Sequence, residues 1–189
     1  SGAGKSTIVA CLLADMTPDA GRILLHQTAS SSNGEEIALS DIDPTSWRDQ
    51  IAWVPQSPTL VPGTILDNMG GLPLEDLDTA AAATGFDTVL ATTPDGWNTV
   101  IGTGGVGLSV GQRQRLALTR TLAARSQLVI LDEPTAHLDA LSEETVVRAI
   151  DDMRREGRTV IVIAHRAAMM EAADAIIDVR SDADEEAHA

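Results

Sequence analysis

The chain begins SGAGKST, and the chemistry of that stretch lies in Gly4, Lys5 and Ser6. Glycine lets backbone N–H groups approach phosphate oxygens closely. A lysine supplies a cation to β- and γ-phosphates, and a serine hydroxyl can ligand Mg²⁺. The stretch matches the second half of the phosphate-binding pattern G-x-x-x-x-G-K-[ST], with Ser1, Gly2, Ala3 and Thr7 completing it here; the pattern's first glycine would fall before residue 1. A second concentration of chemistry is LVILDEP, in which an apolar run ends in Asp132 and Glu133. Ligands of α/β sheets bind at the carboxyl ends of strands, so Asp132 is placed to hold Mg²⁺ and Glu133 to polarise an attacking water as a general base. A third is LSVGQRQRLAL, Leu108 to Leu118, a small-residue turn that opens a helix with Ser109, Gly111 and Gln112 at its positive end. That is another anion site. One nucleotide on one chain has no use for two phosphate-binding helix ends, whereas two chains facing each other do.

These residues need strands and helices to hold them. A helix is expected from Lys5 to about Ala14. RILL and EEIAL read as short strands around a Ser- and Asn-rich loop. DPTSWRDQ starts a short helix with Asp43 as N-cap and Pro44 at its first position. IAWV is a strand that ends at Pro55. From Thr64 to Leu122 the pattern is helical and Ala-rich, broken by Gly and Pro. LVILD is a strand buried on both faces. Glu143 to Glu156 is an amphipathic helix with Val146, Val147, Ile150 and Met153 on its apolar face, stopped by Gly157. TVIVIA is a second buried strand, followed by a short helix and AIIDV. Strands alternate with helices at both ends of the chain, with a helical insertion between. The expected fold is therefore α/β, with a parallel-sheet core and a helical subdomain.

Bulk composition narrows the partners. The 189 residues are 43% hydrophobic and 22% charged, enough for one domain with a core. Thirteen basic against 28 acidic residues give a net charge of −15, which argues against nucleic acid or an anionic membrane surface as direct partner. Part of the acid lies in SDADEEAHA, residues 181–189, expected to be a frayed tail. The single cysteine, Cys11, excludes an internal disulfide and fits a reducing compartment; it is expected on a buried helix face. There is no signal peptide and no run of about 18 apolar residues.

With LSVGQ in place between the phosphate loop and LVILDEP, the sequence resembles the ABC ATPases, whose signature reads LSGGQ. The resemblance covers nearly the whole chain and the order of motifs agrees. It implies a P-loop NTPase fold that lacks its N-terminal strands here, with a core at about 1–63 and 125–180, a helical signature subdomain at about 64–124 and the acidic tail. It also implies roles. Gln56 in WVPQSP resembles the Q-loop glutamine, near Mg²⁺ and the coupling surface. Asp139 in AHLD resembles the D-loop aspartate at the dimer interface. His165 in VIAHR resembles the switch histidine at the γ-phosphate. ATP and Mg²⁺ are the implied ligands, held at Ser6, Gln56 and Asp132. Ser109, Gly111 and Gln112 of a second ABC domain, identical or related, would close over the nucleotide.

Three departures stand out. Val110 replaces the first glycine of the signature; Thr103 and Gly104 stand where many exporters have Glu-Arg; and the chain has no tyrosine, its aromatics being Trp47, Trp53, Trp97 and Phe86. The adenine-stacking aromatic of the family normally precedes the phosphate loop, so adenine is not specified by these residues. LDNM after TLVPGTI resembles the exporter class. Within it, DPTSWRDQIAWVPQSP and EPTAHLD resemble the CydD/CydC thiol exporters, which act in cytochrome bd assembly, with Trp47 beside Arg48 the most suggestive detail. That family implies an upstream transmembrane domain on the same polypeptide, a place at the cytoplasmic face of the cell membrane, and cysteine or glutathione as cargo. The alternatives are an exporter of lipid, peptide or drug, a soluble ABC protein of DNA repair or translation, and a P-loop kinase, which would have no signature helix.

Overall fold

The computed structural model describes residues 4–26, 36–136 and 140–179. It divides into two compact units, Ser1–Ile51 with Ala175–Ala189, and Ala52–Asp174.

In the first unit, helix α1 (Lys5–Leu12) starts at Gly4, whose φ of 86° lies in the left-handed region that glycine enters without strain. The helix ends two residues before the expected Ala14 because Ala14 itself sits at φ 55°. Strands β1 (Leu24–His26) and β2 (Glu36–Ala38) pair antiparallel, Leu24 opposite Ala38. Helix α2 (Pro44–Arg48) has the expected start: Asp43 accepts from the Ser46 N–H at 2.8 Å, and Pro44 stands at its first position. That N–H holds the Asp43 carboxyl below its usual pKa.

The conspicuous pair Trp47 and Arg48 closes the end of α1. The Trp47 indole N–H donates to the Leu12 carbonyl at 2.7 Å, and Arg48 donates to the Leu13 and Ala14 carbonyls at 3.2 Å each and pairs with Asp15 at 2.9 Å. These carbonyls have lost their helical partners, and a cation at the helix C-terminus also suits the dipole. Cys11 is half-buried rather than buried. It lines a hollow of about 580 Å³ with Thr7, Ile8, Leu12 and Pro18.

The second unit is built on a sheet in the order β3 (Ile51–Val54), β6 (Leu128–Asp132), β7 (Thr159–Ile163), with β6 and β7 parallel from Leu128–Thr159 to Asp132–Ile163. β6 is central and buried as its continuous apolar run requires. β7 is only half-buried, against expectation, because it is the terminal strand of this sheet among the described residues. Helix α6 (Ala140–Arg155) begins three residues before the expected Glu143, and Gly157 ends it at φ 82°. Val146 and Met153 are fully buried on the sheet, and Val147 and Ile150 are partly so. Helix α7 (Ala167–Glu171) follows β7. Residues 175–179, AIIDV, carry no regular element, and Ile176 and Ile177 are exposed.

The segment read as mostly helical holds α3 (Leu74–Thr84), α4 (Phe86–Leu90) and α5 (Val110–Ala123). It also holds a short antiparallel ribbon, β4 (Gly63–Thr64) against β5 (Val100–Ile101), closed by the Ile65 N–H donating to the Thr99 carbonyl at 3.0 Å. The apolar periodicity hid it because two-residue strands leave no alternation to read. Among the described residues, no helix is long and apolar enough to cross a membrane.

Two cores form, and α5 serves both. Leu116 and Ala123 face a cluster with Leu60, Ile65, Met69, Leu77 and Phe86, whereas Ala117 and Leu118 face Val54, Val129, Leu131, Val146 and Met169. The far end of α5 is fixed by Arg158, only 6% exposed, which donates to the carbonyls of Ser126 (2.8 Å), Leu122 (3.2 Å) and Thr121 (2.9 Å). Burial lowers the pKa of this guanidinium. After β6 the chain turns at Glu133, a non-glycine residue at φ 47°, held there by its N–H donating to Ile163 (2.9 Å) and its carbonyl accepting from Ala136 (3.1 Å).

Two variants test these constraints by chemical denaturation. Arg158→Met abandons three carbonyls and should cost at least about 3 kcal/mol. At position 133, Asn tolerates the left-handed region and should be more stable than the parent by up to about 1 kcal/mol, whereas the β-branched Val should lose about 1–2 kcal/mol.

Candidate functional site

Three strand ends deliver the site of the second unit. Gln56 follows β3 by two residues, Glu133 follows β6 directly, and His165 follows β7 by two. The structure brings all three together on one carboxylate. Gln56 Nε2 donates to Glu133 Oε2 at 2.8 Å, and His165 Nε2 lies 3.3 Å from Glu133 Oε1. The Glu133 side chain is 28% exposed and His165 59%, so water reaches both. Gln56 holds the carboxylate and His165 lies against it without burying it. With its amide nitrogen given to Glu133, Gln56 keeps its carbonyl oxygen available as a hard ligand. Asp132 ends β6 beside them, half-buried.

The signature helix α5 opens with a capping box. Ser109 Oγ accepts from the Gln112 N–H at 3.2 Å, and Gln112 Oε1 accepts from the Ser109 N–H at 2.7 Å. The Gln112 side chain is thus committed to its own helix. The N–H groups of Val110 and Gly111 have no intrahelical acceptor by helix geometry, and the Ser109 hydroxyl keeps its proton to donate. Val110 takes the first helical position with its side chain 42% exposed, a place where glycine is not required. Just upstream, Gly105 is required: a Cβ there would stand 2.8 Å from Leu60 Cδ1 and 2.7 Å from Arg113 Cδ, at φ 78°. Gly104 donates to the Leu60 carbonyl at 3.2 Å, and the uncharged Thr103 to Gly105 form a single tight turn.

In the first unit, α1 presents the N–H groups of Lys5, Ser6 and Thr7, with Ser6 and Thr7 exposed. Ser1, Gly2, Ala3 and Asp139 lie outside the described residues.

Sequence reasoning missed two features. Arg166, next to His165, donates from Nη1 to Glu143 Oε2 at 2.8 Å, joining the start of α7 to the first turn of α6. The signal was an arginine directly after a switch-like histidine together with an acidic helix start, and neither is distinctive alone. Gln114 on α5 is 4% exposed, and neither of its amide atoms has a hydrogen-bond partner among the described residues. Nothing in the structure explains it.

Comparison with known proteins shows the family. The family model described as ABC transporter matches residues 1–136. The alpha-hemolysin translocation ATP-binding protein HlyB of Proteus vulgaris is 36% identical over 181 residues, 94% of this chain and 24% of that protein. The ABC-type transporter atr1 of Mycosarcoma maydis is 35% identical over 186 residues, 94% of this chain and 13% of that one. The chain thus spans about a quarter or less of the length of these relatives. A solved structure of a bacterial Atm1-family ABC exporter with ATP bound superposes with a TM-score of 0.76 at 34% identity, over 90% of this chain and 29% of that one. The chain therefore belongs to the ABC transporter family, as an ATP-binding domain of the kind found in exporters.

Proposed function

We propose that this chain is the ATP-driven motor of an exporter. The observation that carries the reading is the meeting of Gln56 and His165 on the Glu133 carboxylate. In this reading Ser1 to Thr7 cradle the phosphates, with Lys5 their cation. Ser109 and Gly111 of a second ABC domain donate to the γ-phosphate across the dimer, Gln112 bracing Ser109 from within its own helix, and Asp139 lies at that interface. The oxygens of Ser6, Gln56 and Asp132 suit Mg²⁺, which takes one or two protein carboxylates together with substrate phosphates and not an all-protein cage. When bound, Mg²⁺ would neutralise charge developing on the phosphates.

Hydrolysis then follows from this chain's own groups. Glu133 accepts a proton from water as the water oxygen bonds to the γ-phosphorus. The bond from that phosphorus to the β–γ bridging oxygen breaks, and ADP leaves. Gln56 and His165 keep the carboxylate pointed at the water. Closure and reopening of the two ABC domains would move transmembrane helices of the same polypeptide, with this domain at the cytoplasmic face of the membrane. We read residues 64–124 as the helical part of a single ABC ATPase domain whose core comprises about 1–63 and 125–180. A net charge of −15 favours a protein partner over nucleic acid.

Cargo is a separate matter. HlyB is named for alpha-hemolysin and CyaB of Bordetella pertussis for cyclolysin. Thiol cargo rests on the resemblance of DPTSWRDQIAWVPQSP and EPTAHLD alone. Trp47 and Arg48, its most suggestive detail, serve the end of α1 in this chain, a task independent of cargo. Uptake of labelled cysteine or glutathione into inverted membrane vesicles decides it, and ATP-dependent uptake of neither would sink the thiol reading.

Glu133→Gln, in the protein as its cell makes it, should slow ATP turnover by about 10²–10⁴-fold. It should still bind MgATP and gain mass in solution as a nucleotide-dependent dimer. Unchanged turnover would remove Glu133 as the base.

A further inference from the structure

We propose that Glu143 is a positioning residue of the ATPase reaction: through its ion pair with Arg166 it holds the His165 imidazole against Glu133. The inference rests on the ATPase reading above.

His165 is 59% exposed, so packing alone does not fix its ring. The chain on either side constrains where it can lie. On one side β7 ends at Ile163, whose carbonyl accepts from the Glu133 N–H at 2.9 Å. On the other side is Arg166, the N-cap residue of α7, whose carbonyl accepts from the N–H groups of Met169 (3.2 Å) and Met170 (3.3 Å). The Arg166 side chain reaches away from α7 to Glu143 Oε2 at 2.8 Å. Only Ala164 and His165 lie between these two anchors. The histidine is thus strung between a main-chain bond to Glu133 and a side-chain bond to α6.

α6 is a firm place for the second anchor. Glu143 lies one turn before Val146, and Val146, Ala149 and Met153 are each 1% exposed against the sheet. A site held by rigid elements keeps its geometry better than one held by loops.

Stability is a poor explanation for Glu143. Its side chain is 14% exposed, and its Oε1 is buried with no hydrogen-bond partner among the described residues, an arrangement that costs free energy. Arg166, 41% exposed, stays solvated if its partner is neutralised. Glu143→Gln should therefore leave the fold intact, which separates a positioning role from a merely structural one.

The test measures ATP turnover across nucleotide concentration, in the protein as its cell makes it, for the parent, Glu143→Gln, Arg166→Met and the pair exchanged as Glu143→Arg with Arg166→Glu. Each single variant should lower kcat by about ten- to a hundredfold, as sub-ångström to ångström misplacement does. KM, binding of a non-hydrolysable ATP analogue and melting temperature should stay near the parent's. The exchanged pair should recover much of the lost rate. In a His165→Ala background, Glu143→Gln should slow turnover no further. A kcat within about twofold of the parent overturns the proposal. So does a kcat loss matched by a fall in nucleotide binding or melting temperature, and so does full additivity with His165→Ala. A parent that hydrolyses no ATP sinks the ATPase reading and this inference together. A parent slowed by Glu133→Gln but indifferent to Glu143→Gln overturns this inference alone.

Discussion

The double burial of α5 is the constraint on which the second unit depends. One helix supplies Leu116 and Ala123 to the helical cluster and Ala117 and Leu118 to the cluster on the sheet. Neighbouring positions point to opposite cores, so α5 cannot rotate without exposing one set and forcing the other into packed neighbours. Its ends are fixed as firmly, by the Ser109–Gln112 capping box at the start and the buried Arg158 at the finish. The consequence is functional. In the proposed reading the phosphate-binding chemistry of LSVGQ would lie in the N–H groups and hydroxyl of the first turn, and those groups are aimed by the orientation of the helix.

That arrangement bears on Val110, which the proposed reading expects to be tolerated. A signature read as LSGGQ would suggest that the missing glycine matters. In α5 the position is the first helical residue, its side chain points to solvent, and what the site needs from it is a backbone N–H. Gly105, outside the signature, is the stricter glycine, because Leu60 and Arg113 crowd the space a side chain would fill. Motif identity and steric necessity thus fall on different residues.

The legible parts of the sequence were those with strong local causes. Asp43 and Pro44 announce α2, the apolar run LVILD announces the central strand, and glycine, lysine and serine announce the head of α1. The chemistry-bearing residues were legible as types, each at a strand end. The convergence of Gln56 and His165 on Glu133 was not, because they come from three strands up to 109 positions apart in the numbering and only the sheet order joins them. Trp47 and Arg48 were illegible for the opposite reason. They are conspicuous residues with a local task, and that task shows only once the end of α1 lies beside α2. The β4–β5 ribbon has too few residues to show a period, and the half-burial of β7 depends on its neighbours rather than on its own apolar sequence.

Glu133 joins these threads. A glutamate at φ 47° gives up about 1–2 kcal/mol relative to an ordinary conformation. A fold selected for stability alone would place asparagine or glycine there. The turn has a geometric effect: it ends the strand at Asp132, and the next residue's carboxylate lies where the ends of the neighbouring strands reach it. The left-handed residue lets Glu133 meet amide and imidazole donors from both neighbouring strands while Asp132 stays at the end of its own. The bond from its N–H to Ile163 holds the turn in place from the adjacent strand. Strain at that residue and order around its carboxylate are therefore two aspects of one arrangement, in which the sheet's hydrogen bonding offsets the backbone conformation that the reaction geometry requires.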